Sequence, residues 1–530
     1  MPVLNINDLG VVGLNKDLQP HHLPVWAWSD ALNVRFREDA VEKLSGYMEI
    51  LGTPTVAPVF GLSFVDDNVP QWIYTDGTKA YRIVGQNHLE VTNTDNDYNT
   101  DEMSQWSGGV FNGVPIINNN SNGFVPQQWD TSISKLRDLE NWPEPEELRC
   151  LVMRPFKNFL VAYGLLKPDG PFLSSLRWSH VADPGTVPTS WDITDPTLDA
   201  GEVSLAESPG RIVDALPLGD INYIYKEDSV WGMQFVGGQS IFRFFQVMPQ
   251  IGALSVNCVK AFKKFHFVVT QDDVVIHNGQ SPESVIDKRN RRYLFNDLNI
   301  ETRQRTFVSA NYRENEMWIC YPSSGSTSGY ADKAMIWNWE DNTWSIRTLP
   351  EISFMDTGFV GTVEPPEVWD NITLLWNNNF NRWDDIAFEV RDQFQMMASP
   401  RDNKFYFVGI GNTENGVPMF STVERRGLTI AGQDLKGNLT VDQTNRKFVR
   451  SLYPRMDGNG PVNFFIGSQN NIQDAVDWSG PYAFDPRTDE RLDFRVNGRF
   501  IAVRIEATTD IFWRLYDIQL DLDVISEARR

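Results

Sequence analysis

Four short apolar runs follow one another between residues 306 and 349, and each is long enough for a β-strand. They are TFVSANY, EMWICYP, AMIWNWE and TWSIRTL, separated by a tight polar turn, a Gly/Ser-rich loop and a second polar turn. Four antiparallel strands within ~40–50 residues are typical of one blade of a β-propeller. Because a propeller consists of several blades, further units of the same layout are expected elsewhere in the chain.

Similar units extend over much of the chain, although they share a layout and no crisp repeat motif. Hairpin signals mark several of them: Asp76-Gly77 in QWIYTDGTKAYRIV, Gly237-Gly238 in MQFVGGQSIFRFF, and a Gln-Asp-Asp break in FHFVVTQDDVVIHNG. The sequence contains six such four-strand units, at about 59–91, 106–142, 151–193, 212–248, 259–298 and 306–349. The sequence predicts an all-β chain with a propeller of about six blades over residues 51–350.

The parts outside the propeller are predicted to be of two kinds. Residues 1–50 form an N-terminal extended segment, and residues 351–530 form a C-terminal β-rich region, sandwich-like. In that region RFIAVRIEA and WRLYDIQLDLDV alternate apolar and polar residues, as half-buried strands do. The region alternatively supplies extra blades or a strand that closes the ring. A short helix is predicted around residues 386–397.

Composition excludes several classes of protein. Asp and Glu number 70 against 47 Lys and Arg, so the net charge is -23, and the bulk field does not attract nucleic acid. The three cysteines are widely spaced without a CxxC pair, which predicts neither a disulfide framework nor a zinc site and favours folding in a reducing cytoplasm. The first ten residues lack the features of a signal peptide, and no apolar run approaches the ~18 residues of a membrane span.

No catalytic constellation is found in the sequence. HExxH, GxxxxGK[ST] and GxSxG are all absent, and only the adjacent His21-His22 pair two of the six histidines. The segment DNDYNTDE places Asp95, Asp97, Asn99 and Asp101 like oxygen ligands of a calcium loop, but the glycine and glutamate of such a loop are missing. A turn between blades is the better explanation, because Asn and Asp favour turns for local backbone reasons. The prediction is no enzyme, no cofactor and no metal.

Two aromatic or basic stretches have both a functional and a structural interpretation. Alternation places Trp337 and Trp339 on one face of their strand with Trp344 in cross-strand reach, which favours packing between blades over a sugar platform. The stretch SPESVIDKRNRRYLFNDL predicts a helix with Ser281 as N-cap and Pro282 in the first turn. Its four basic residues either contact DNA or an acidic partner, or form a solvated, salt-bridged face; they are Lys288, Arg289, Arg291 and Arg292.

The order of several motifs resembles one known family. Residues 13–47 read GLNKDLQPHHLPVWAWSDALNVRFREDAVEKLSGY; later come LRWSHVADPGTVPTSWD, GRIVDALPLGDINYIYKEDSVWGMQFVGG, DDVVIHNGQSPESVIDKRNRRYLFNDLN and WSGPYAFDPRTDERLDFRVNGRFIAVRIEA. Each motif is weak alone, but together they span most of the chain. In this order they resemble the tail nozzle, or tail hub, proteins of short-tailed bacteriophages, also called tail tubular protein B or phage stabilisation protein.

The resemblance implies a structural virion protein and brings no catalytic residues. It implies a homo-hexameric ring at the distal end of the tail, below the adaptor or tail-tube protein and beside a fibre, spike or needle protein. Genomic DNA passes through the channel without sequence-specific binding, and the ring is a conduit and gate for ejection. The implied location is the virion tail, after assembly in the host cytoplasm.

Other functions stay open at this point. A propeller-type glycan-binding or glycan-degrading tail protein would need a concave aromatic pocket with convergent carboxylates. A capsid or tail adhesin would merely share the blades. Five residues of the N-terminal block are predicted to carry an interaction or, alternatively, to attach this segment to the propeller; they are Trp26, Trp28, Asn33, Arg35 and Phe36.

Overall fold

The computed structural model describes residues 3–66, 69–93, 97–121, 123–238, 240–358, 394–433 and 439–525, and β-strands dominate them. Seven sheets contain four strands that pair antiparallel, and in six of them the strands are consecutive in the chain. The first strands of the seven sheets are neighbours around a common axis. The sheets are therefore the blades of a closed propeller, and the predicted all-β propeller is confirmed.

Blades 1 to 3 correspond to the first three predicted units. The strands of blade 1 are Phe60–Asp66, Val69–Thr75, Ala80–Val84 and Asn87–Glu90. Those of blade 2 are Trp106–Phe111, Val114–Asn119, Gln127–Asp130 and Lys135–Asp138. Those of blade 3 are Arg149–Phe156, Phe159–Lys167, Gly170–Trp178 and Gly201–Ser204.

Blades 4 to 6 continue the same pattern. The strands of blade 4 are Ile212–Leu218, Ile221–Lys226, Ser229–Phe235 and Phe242–Pro249. Those of blade 5 are Val259–Phe262, Phe265–Val269, Val274–His277 and Glu283–Ser284. Those of blade 6 are Phe307–Asn311, Glu316–Tyr321, Ala331–Asn338 and Thr343–Ile352.

A seventh blade closes the ring and combines two distant parts of the chain. Its first three strands are Phe354–Gly358, Phe394–Ser399 and Lys404–Val408, and its fourth is Tyr47–Ile50. Tyr47–Ile50 pairs antiparallel with Lys404–Val408, so backbone hydrogen bonds between the two parts hold the ring shut. A hairpin of Thr413–Glu414 and Val417–Pro418 extends its outer edge. The propeller thus reaches beyond the 51–350 range and has seven blades instead of about six, and the alternative that the C-terminal region supplies an extra blade applies.

The remaining strands form two sheets that pack as a β-sandwich. Sandwich sheet 1 contains Leu492–Gly498, Arg446–Gly458, Trp513–Ile525, Ala40–Lys43 and Val34–Arg37, and Val3–Ile6 pairs with Trp513–Ile525. Sandwich sheet 2 contains Asp30–Leu32, Ser421–Leu428, Phe500–Ala507, Val462–Gln469 and Asp477–Phe484. Leu492–Gly498 alternates buried and exposed residues throughout, because one face lies on the core and the other faces solvent. Both sheets take strands from the N-terminal 50 residues, which are thus not a separate extended segment.

Within the described residues, a few short elements lie outside these sheets. Gly13–Leu14 pairs in parallel with Ala27–Trp28, and Ile430–Gln433 pairs with Leu439–Val441. The α-helix is Arg291–Asp297, and the 3-10 helices are Pro20–His22, Glu144–Glu146 and Arg303–Arg305.

One helix prediction holds only in part, since the stretch that begins at Ser281 forms a helix only at Arg291–Asp297, and the other is wrong where its residues are described. No helix begins at Ser281-Pro282, because Glu283–Ser284 pairs with the third strand of blade 5 and its backbone is already used in a sheet. Of the helix predicted around 386–397, the part before residue 394 lies outside the described residues. The rest belongs to Phe394–Ser399, which lies between two strands of blade 7.

The tryptophans of blade 6 pack between blades, as the sequence indicates. Trp337 lies directly opposite Trp344 on the neighbouring strand, and both are almost fully buried. The Trp337 ring lies 5.5 Å from Phe267 and 5.7 Å from Phe262, both in blade 5. The same apolar cluster continues into the sandwich through residues such as Val503, so blades 5 and 6 and the sandwich share one core.

Candidate functional site

The axis of the propeller contains a buried ion pair between adjacent blades. Arg154, on the first strand of blade 3, donates from Nε and Nη2 to the two carboxylate oxygens of Asp214 at 2.8 and 2.9 Å. Its Nη1 donates to the carbonyl of Gly108 in blade 2 at 2.8 Å, and Nη2 also reaches Asn257 Oδ1 at 2.7 Å. One guanidinium therefore connects blades 2, 3 and 4 to the loop that enters blade 5.

The carboxylate of Asp214 is held from a second side as well. It accepts the backbone N–H of Asn257 at 2.8 Å and that of Ala215 at 2.8 Å. Burial lowers the pKa of Arg154, but the adjacent Asp214 raises it by more, so the net shift is upward. The hydrogen bonds between the guanidinium and the carboxylate satisfy both groups, which is the condition under which a buried pair is tolerated.

A second ion pair joins two first strands that are separated by one blade. Lys260 on the first strand of blade 5 lies 3.2 Å from the carboxylate of Asp356 on the first strand of blade 7. Both side chains are about a third exposed, which is consistent with a solvent-filled mouth at this level.

A cavity of about 230 Å³ opens beside these pairs, where the first strands of the blades begin. Its wall combines residues from blades 1, 2, 5, 6 and 7 and from the loops before them. The aromatic part includes Phe60, Trp106, Phe307, Tyr330 and Phe354. The charged part includes Asp76, Asp101, Glu102, Lys260, Arg305 and Asp356. We call this space the axial cavity.

Arg305 forms one side of the mouth of the axial cavity. Its guanidinium stacks on the Tyr330 ring at 4.4 Å and donates to the backbone carbonyls of Ser328 at 3.2 Å and Glu102 at 2.9 Å. The Glu102 carboxylate lies 4.0 Å from the same guanidinium. The guanidinium of Arg305 thus makes its ring contact and hydrogen bonds within the protein, and these contacts define its position.

The described residues give no support for a metal centre. Within them, no three His, Cys, Asp or Glu side chains come close enough together to hold a metal ion. In the calcium-like segment, Asp95 lies outside the described residues, and the Asp97 carboxylate lies 3.8 Å from Lys79. Asp101 lies at the mouth of the axial cavity. No helix in the described ranges is long and apolar enough to cross a membrane.

A hydrogen-bonded chain of two histidines and one tyrosine is buried between blades 4 and 5. The Tyr225 hydroxyl lies 2.7 Å from His266 Nδ1 and 2.7 Å from His277 Nε2. Because the Gly279 N–H donates to His277 Nδ1, His277 carries its proton on Nε2 and donates to Tyr225. His266 Nε2 then donates to the carbonyl of Pro217, and its Nδ1 accepts from Tyr225. Both rings are neutral, and neither has room for another proton without a broken bond.

Four of the five N-terminal candidates lie where the propeller meets the sandwich; they are Trp28, Asn33, Arg35 and Phe36. Trp28 is buried and donates to the carbonyl of Leu9 at 2.7 Å. Asn33 has a positive φ of 56° and donates to the Phe420 carbonyl at 2.8 Å. Phe36 is also buried, whereas Trp26 keeps 42% of its surface exposed. In this group only Trp26 has a large side chain that is exposed.

Arg35, the fourth of these residues, forms an ion pair with blade 6. Its Nε donates to Glu316 at 2.6 Å and its Nη1 to Glu314 at 3.0 Å. Burial lowers the pKa of Arg35, while Glu316 and Glu314 raise it by more in sum. Arg35 therefore fastens sandwich sheet 1 to the propeller.

The four basic candidates are divided between internal contacts and solvent. Arg289 donates to the Asn342 carbonyl, and Arg291 donates to the Asp272 carbonyl at 2.7 Å. Lys288 and Arg292 have exposed side chains. The segment also binds the N-terminal block, since the Asp17 carboxylate accepts the backbone N–H of Arg292 at 2.9 Å. Its contact with DNA or an acidic partner stays a prediction.

The sequence analysis did not single out the axial residues. Arg154 and Asp214 each stand in an otherwise apolar strand, LVMRPF and IVDALPL. A lone charge in a buried strand is a usable signal, since such a charge needs a partner. Nothing in the local pattern says which two strands meet, so the pair itself is a property of the closed ring.

Comparison with known proteins adds little to this picture. No protein-family model and no curated protein matches the chain. Among solved structures, the chain is similar to PorZ, a bacterial surface component of the type-IX secretion system of Porphyromonas gingivalis, with 8% identity and a TM-score of 0.35. That match covers 72% of this chain and 43% of PorZ, so the chain spans less than half of that protein.

Two further similar structures are equally distant. One is YCF48 bound to D1 peptide, with 9% identity, a TM-score of 0.35, and 69% of this chain and 95% of that chain covered. The other is a functionally unknown protein from Desulfotomaculum acetoxidans, with 10% identity, a TM-score of 0.33, and coverage of 58% and 94%. Scores this low carry no functional argument, and the architecture rests on the strand pairings of this chain.

Proposed function

We propose that this protein is a structural virion protein that forms the tail nozzle ring of a short-tailed bacteriophage. The observation that carries the proposal is where the N-terminal motif lies. Asn15 donates to the Lys288 carbonyl, Asp17 accepts from Arg292, and Asn33 donates to the Thr348 hydroxyl of blade 6 at 3.0 Å. The residues that carry the resemblance thus join the propeller to the sandwich, which suits a rigid building block.

In the proposed ring, six copies surround the channel through which the genome leaves. The adaptor or tail-tube protein lies above and a fibre, spike or needle protein beside or below. Each copy carries a net charge of -23, and DNA carries one negative charge per ~1.7 Å of duplex axis. An acidic channel wall would let DNA slide, whereas a wall rich in Lys and Arg would hold it. A basic channel surface in a structure of the ring would contradict this part of the proposal.

Electron microscopy of the virion with subunit mapping tests the proposal. We expect a label on this protein to lie on the tail axis at the distal end, in a ring of six. Density at the fibre tips would overturn the nozzle assignment and favour an adhesin. A matched assay with host polysaccharide addresses the glycan-degrading alternative, for which we expect no release of reducing sugar. Turnover that stops when axial-cavity carboxylates are replaced would overturn the structural assignment.

A further inference from the structure

The outer strand of blade 4 has a longer free edge than the outer strands beside it. This strand, Phe242–Pro249, has eight residues and pairs among the described strands only with Ser229–Phe235, on its inner side. The outer strands of blades 1, 2 and 3 have four residues each, and that of blade 5 has two. Propellers usually keep such edges short, because a long free edge can pair with a strand of another chain.

The outer edges of blades 6 and 7 are covered by other parts of the chain. The outer strand of blade 6, Thr343–Ile352, contacts the N-terminal block, where the Asn33 N–H donates to the Ile346 carbonyl at 2.8 Å. In blade 7 the strand of Thr413–Glu414 lies beside the outer strand Tyr47–Ile50. Within the described residues, blade 4 is therefore the one blade with an outer strand that is both long and uncovered.

The free edge of Phe242–Pro249 presents backbone groups that can bind another strand. In a strand with a partner on one side only, alternate residues direct their N–H and C=O groups away from that partner. In the described part of the chain, the backbone of this strand forms hydrogen bonds only with Ser229–Phe235. An extended segment laid along the edge would use the remaining groups, which is how a β-sheet binds a peptide by strand addition.

The side chains along this edge favour an apolar segment that carries a carboxylate. Phe244, Phe245 and Val247 are half-buried, so each keeps apolar surface that a further strand would cover. Arg243 is exposed, its guanidinium lies 5.6 Å from the Phe245 ring, and it pairs with no carboxylate in the described residues. An acidic residue opposite or diagonal to Arg243 on the added strand would supply the missing partner.

The charge at the other end of the strand has the opposite sign. Pro249 lies across from Ser229, and Asp228, the residue before Ser229, is an exposed acid. A carboxylate of the added segment would be repelled at that end and attracted near Arg243. The partner segment therefore carries its negative charge at the Arg243 end.

A different protein suits this edge better than a second copy of the chain. If two copies paired through this strand, both Arg243 side chains would lack a carboxylate, because FRFFQVMP contains no acid. The outer strand of sandwich sheet 2, Asp477–Phe484, is equally long, but Pro481 in its middle has no N–H to donate. Each copy also carries a net charge of -23, which opposes the association of two copies.

We propose that the outer edge of blade 4 binds an extended segment of another protein by strand addition. The segment alternates apolar and polar residues and places a carboxylate beside Arg243. Hydrogen bonds to the backbone of Phe242–Pro249 give the affinity, while the apolar side chains and Arg243 select the sequence. This inference goes beyond the nozzle proposal and does not depend on it.

Calorimetric titration of the intact chain with a designed peptide tests the strand addition. The probe is acetyl-Thr-Val-Glu-Val-Thr-Phe-Thr-amide, and two matched peptides carry N-methyl groups on one or the other set of alternate residues. A strand binds an edge through only one set of its N–H groups. We therefore expect one methylated peptide to bind like the probe and the other at least about tenfold more weakly. No saturable binding of the probe, or equal binding of the two methylated peptides, would overturn the proposal.

Substitution of Arg243 tests the charge preference. Replacing the Glu of the probe by Gln should weaken its binding to the unmodified chain about two- to fivefold, the range expected for an exposed ion pair. In Arg243→Gln, the Glu and Gln peptides should bind equally. Lys264→Gln is the control, because Lys264 is an exposed cation in the first turn of blade 5, and this variant should keep the difference. A difference that persists in Arg243→Gln, or that disappears in Lys264→Gln, would refute the role of Arg243.

Hydrogen exchange and light scattering locate the contact and identify its source. With the probe bound, amide exchange should slow in Phe242–Pro249 and stay unchanged in Asn87–Glu90, the short outer strand of blade 1. Slowing elsewhere without slowing in Phe242–Pro249 would overturn the assigned site. In light scattering, the probe should leave the number of associated copies unchanged. A dimer that the probe dissociates would show that a second copy occupies the edge and would overturn the assignment to a different protein.

Discussion

Arg154 and Asp214 form a bidentate ion pair across the boundary between blades 3 and 4, with N···O distances of 2.8 and 2.9 Å. The same guanidinium also binds a carbonyl of blade 2, so one side chain ties three blades together at the axis. Apolar side chains of the two blades also pack against each other, among them Val152 and Ala215. The ion pair fixes the relative orientation of these blades, because its hydrogen bonds are satisfied in only one arrangement of the blades.

Replacing the carboxylate of this pair should destabilise the protein strongly. Asp214→Ala leaves the Arg154 guanidinium in the interior without its charge partner, which typically costs ~3–5 kcal/mol. Asp220→Ala removes an exposed pair with Lys157 and should cost ~1 kcal/mol or less. Denaturant-induced unfolding of both variants measures the difference. Equal costs would show that the axial pair contributes no more than a surface contact.

The tryptophans of blade 6 should differ in their contribution to stability. Trp344 is fully buried, so Trp344→Ala should cost ~3–5 kcal/mol, as for other core tryptophans. Trp339 is only half-buried against Phe262 and Tyr312, so Trp339→Ala should cost clearly less. Thermal unfolding of the two variants gives the comparison. A larger loss for Trp339 than for Trp344 would contradict the packing described.

Acid should weaken the contact between blades 4 and 5. Burial lowers the pKa of His266 to about 4 and that of His277 to about 3, where the His266 ring adds to the effect. Because both pKa values are lower in the folded chain than the ~6.5 of an unfolded one, the stabilisation is complete above pH 6.5. It decreases as the pH falls from 6.5 toward 4, by up to ~1.4 kcal/mol per pH unit for each ring.

A histidine variant separates this effect from general acid denaturation. The other ionisable groups near the two rings are Tyr223, Tyr225 and Asp214. None of them accepts the hydrogen bond that a ring nitrogen stops accepting when it is protonated. In His277→Gln the unfolding free energy should fall less steeply between pH 6.5 and 5 than in the unmodified chain. His22→Asn, at an exposed position, should keep the original slope. An unchanged slope in His277→Gln would exclude this histidine as the source.

A glycine of the N-terminal motif should tolerate no side chain. A Cβ at Gly46 would lie 1.9 Å from the Thr413 carbonyl oxygen, where the chain enters the closing strand of blade 7. Gly46→Ala should therefore lower the unfolding temperature by several degrees, since 1 kcal/mol corresponds to ~2–4 °C or less in a chain this large. At Gly325 the nearest atom would be 3.6 Å away, so Gly325→Ala should be nearly neutral. Similar losses at both sites would contradict the close approach.

Two neighbouring tryptophans separate attachment from partner binding. Trp28→Ala removes a buried ring and its bond to Leu9, so it should lower the unfolding temperature. Trp26→Ala removes a ring that is 42% exposed, so it should leave stability nearly unchanged. If Trp26 contacts a tail partner, its variant should incorporate poorly into virions while folding normally. Normal incorporation of a stable Trp26 variant would remove it from the interaction candidates.

Local pattern explains why the six repeat units could be predicted from the sequence. Each hairpin joins strands a few residues apart, and turn residues such as Asp76-Gly77 and Gly237-Gly238 mark where the chain reverses. Blade 3 shows the limit, because its last strand, Gly201–Ser204, follows a long loop and lies beyond the predicted unit. The helix predicted to begin at Ser281 is absent there for a related reason. Ser281 and Pro282 favour the start of a helix, but the residues that follow them pair with a neighbouring strand of blade 5.

The sequence by itself determined the all-β class, the repeat of four-strand units and the inter-blade role of Trp337 and Trp344, since these depend on periods and turns within about 45 residues. Only the tertiary structure decided that Tyr47–Ile50 completes a seventh blade and that the N-terminal 50 residues also build the sandwich. It also decided that Arg154 meets Asp214 and that charges collect around one axial cavity. These contacts join residues that are far apart in the chain, and backbone pairing between distant strands leaves no trace in the local pattern of either strand.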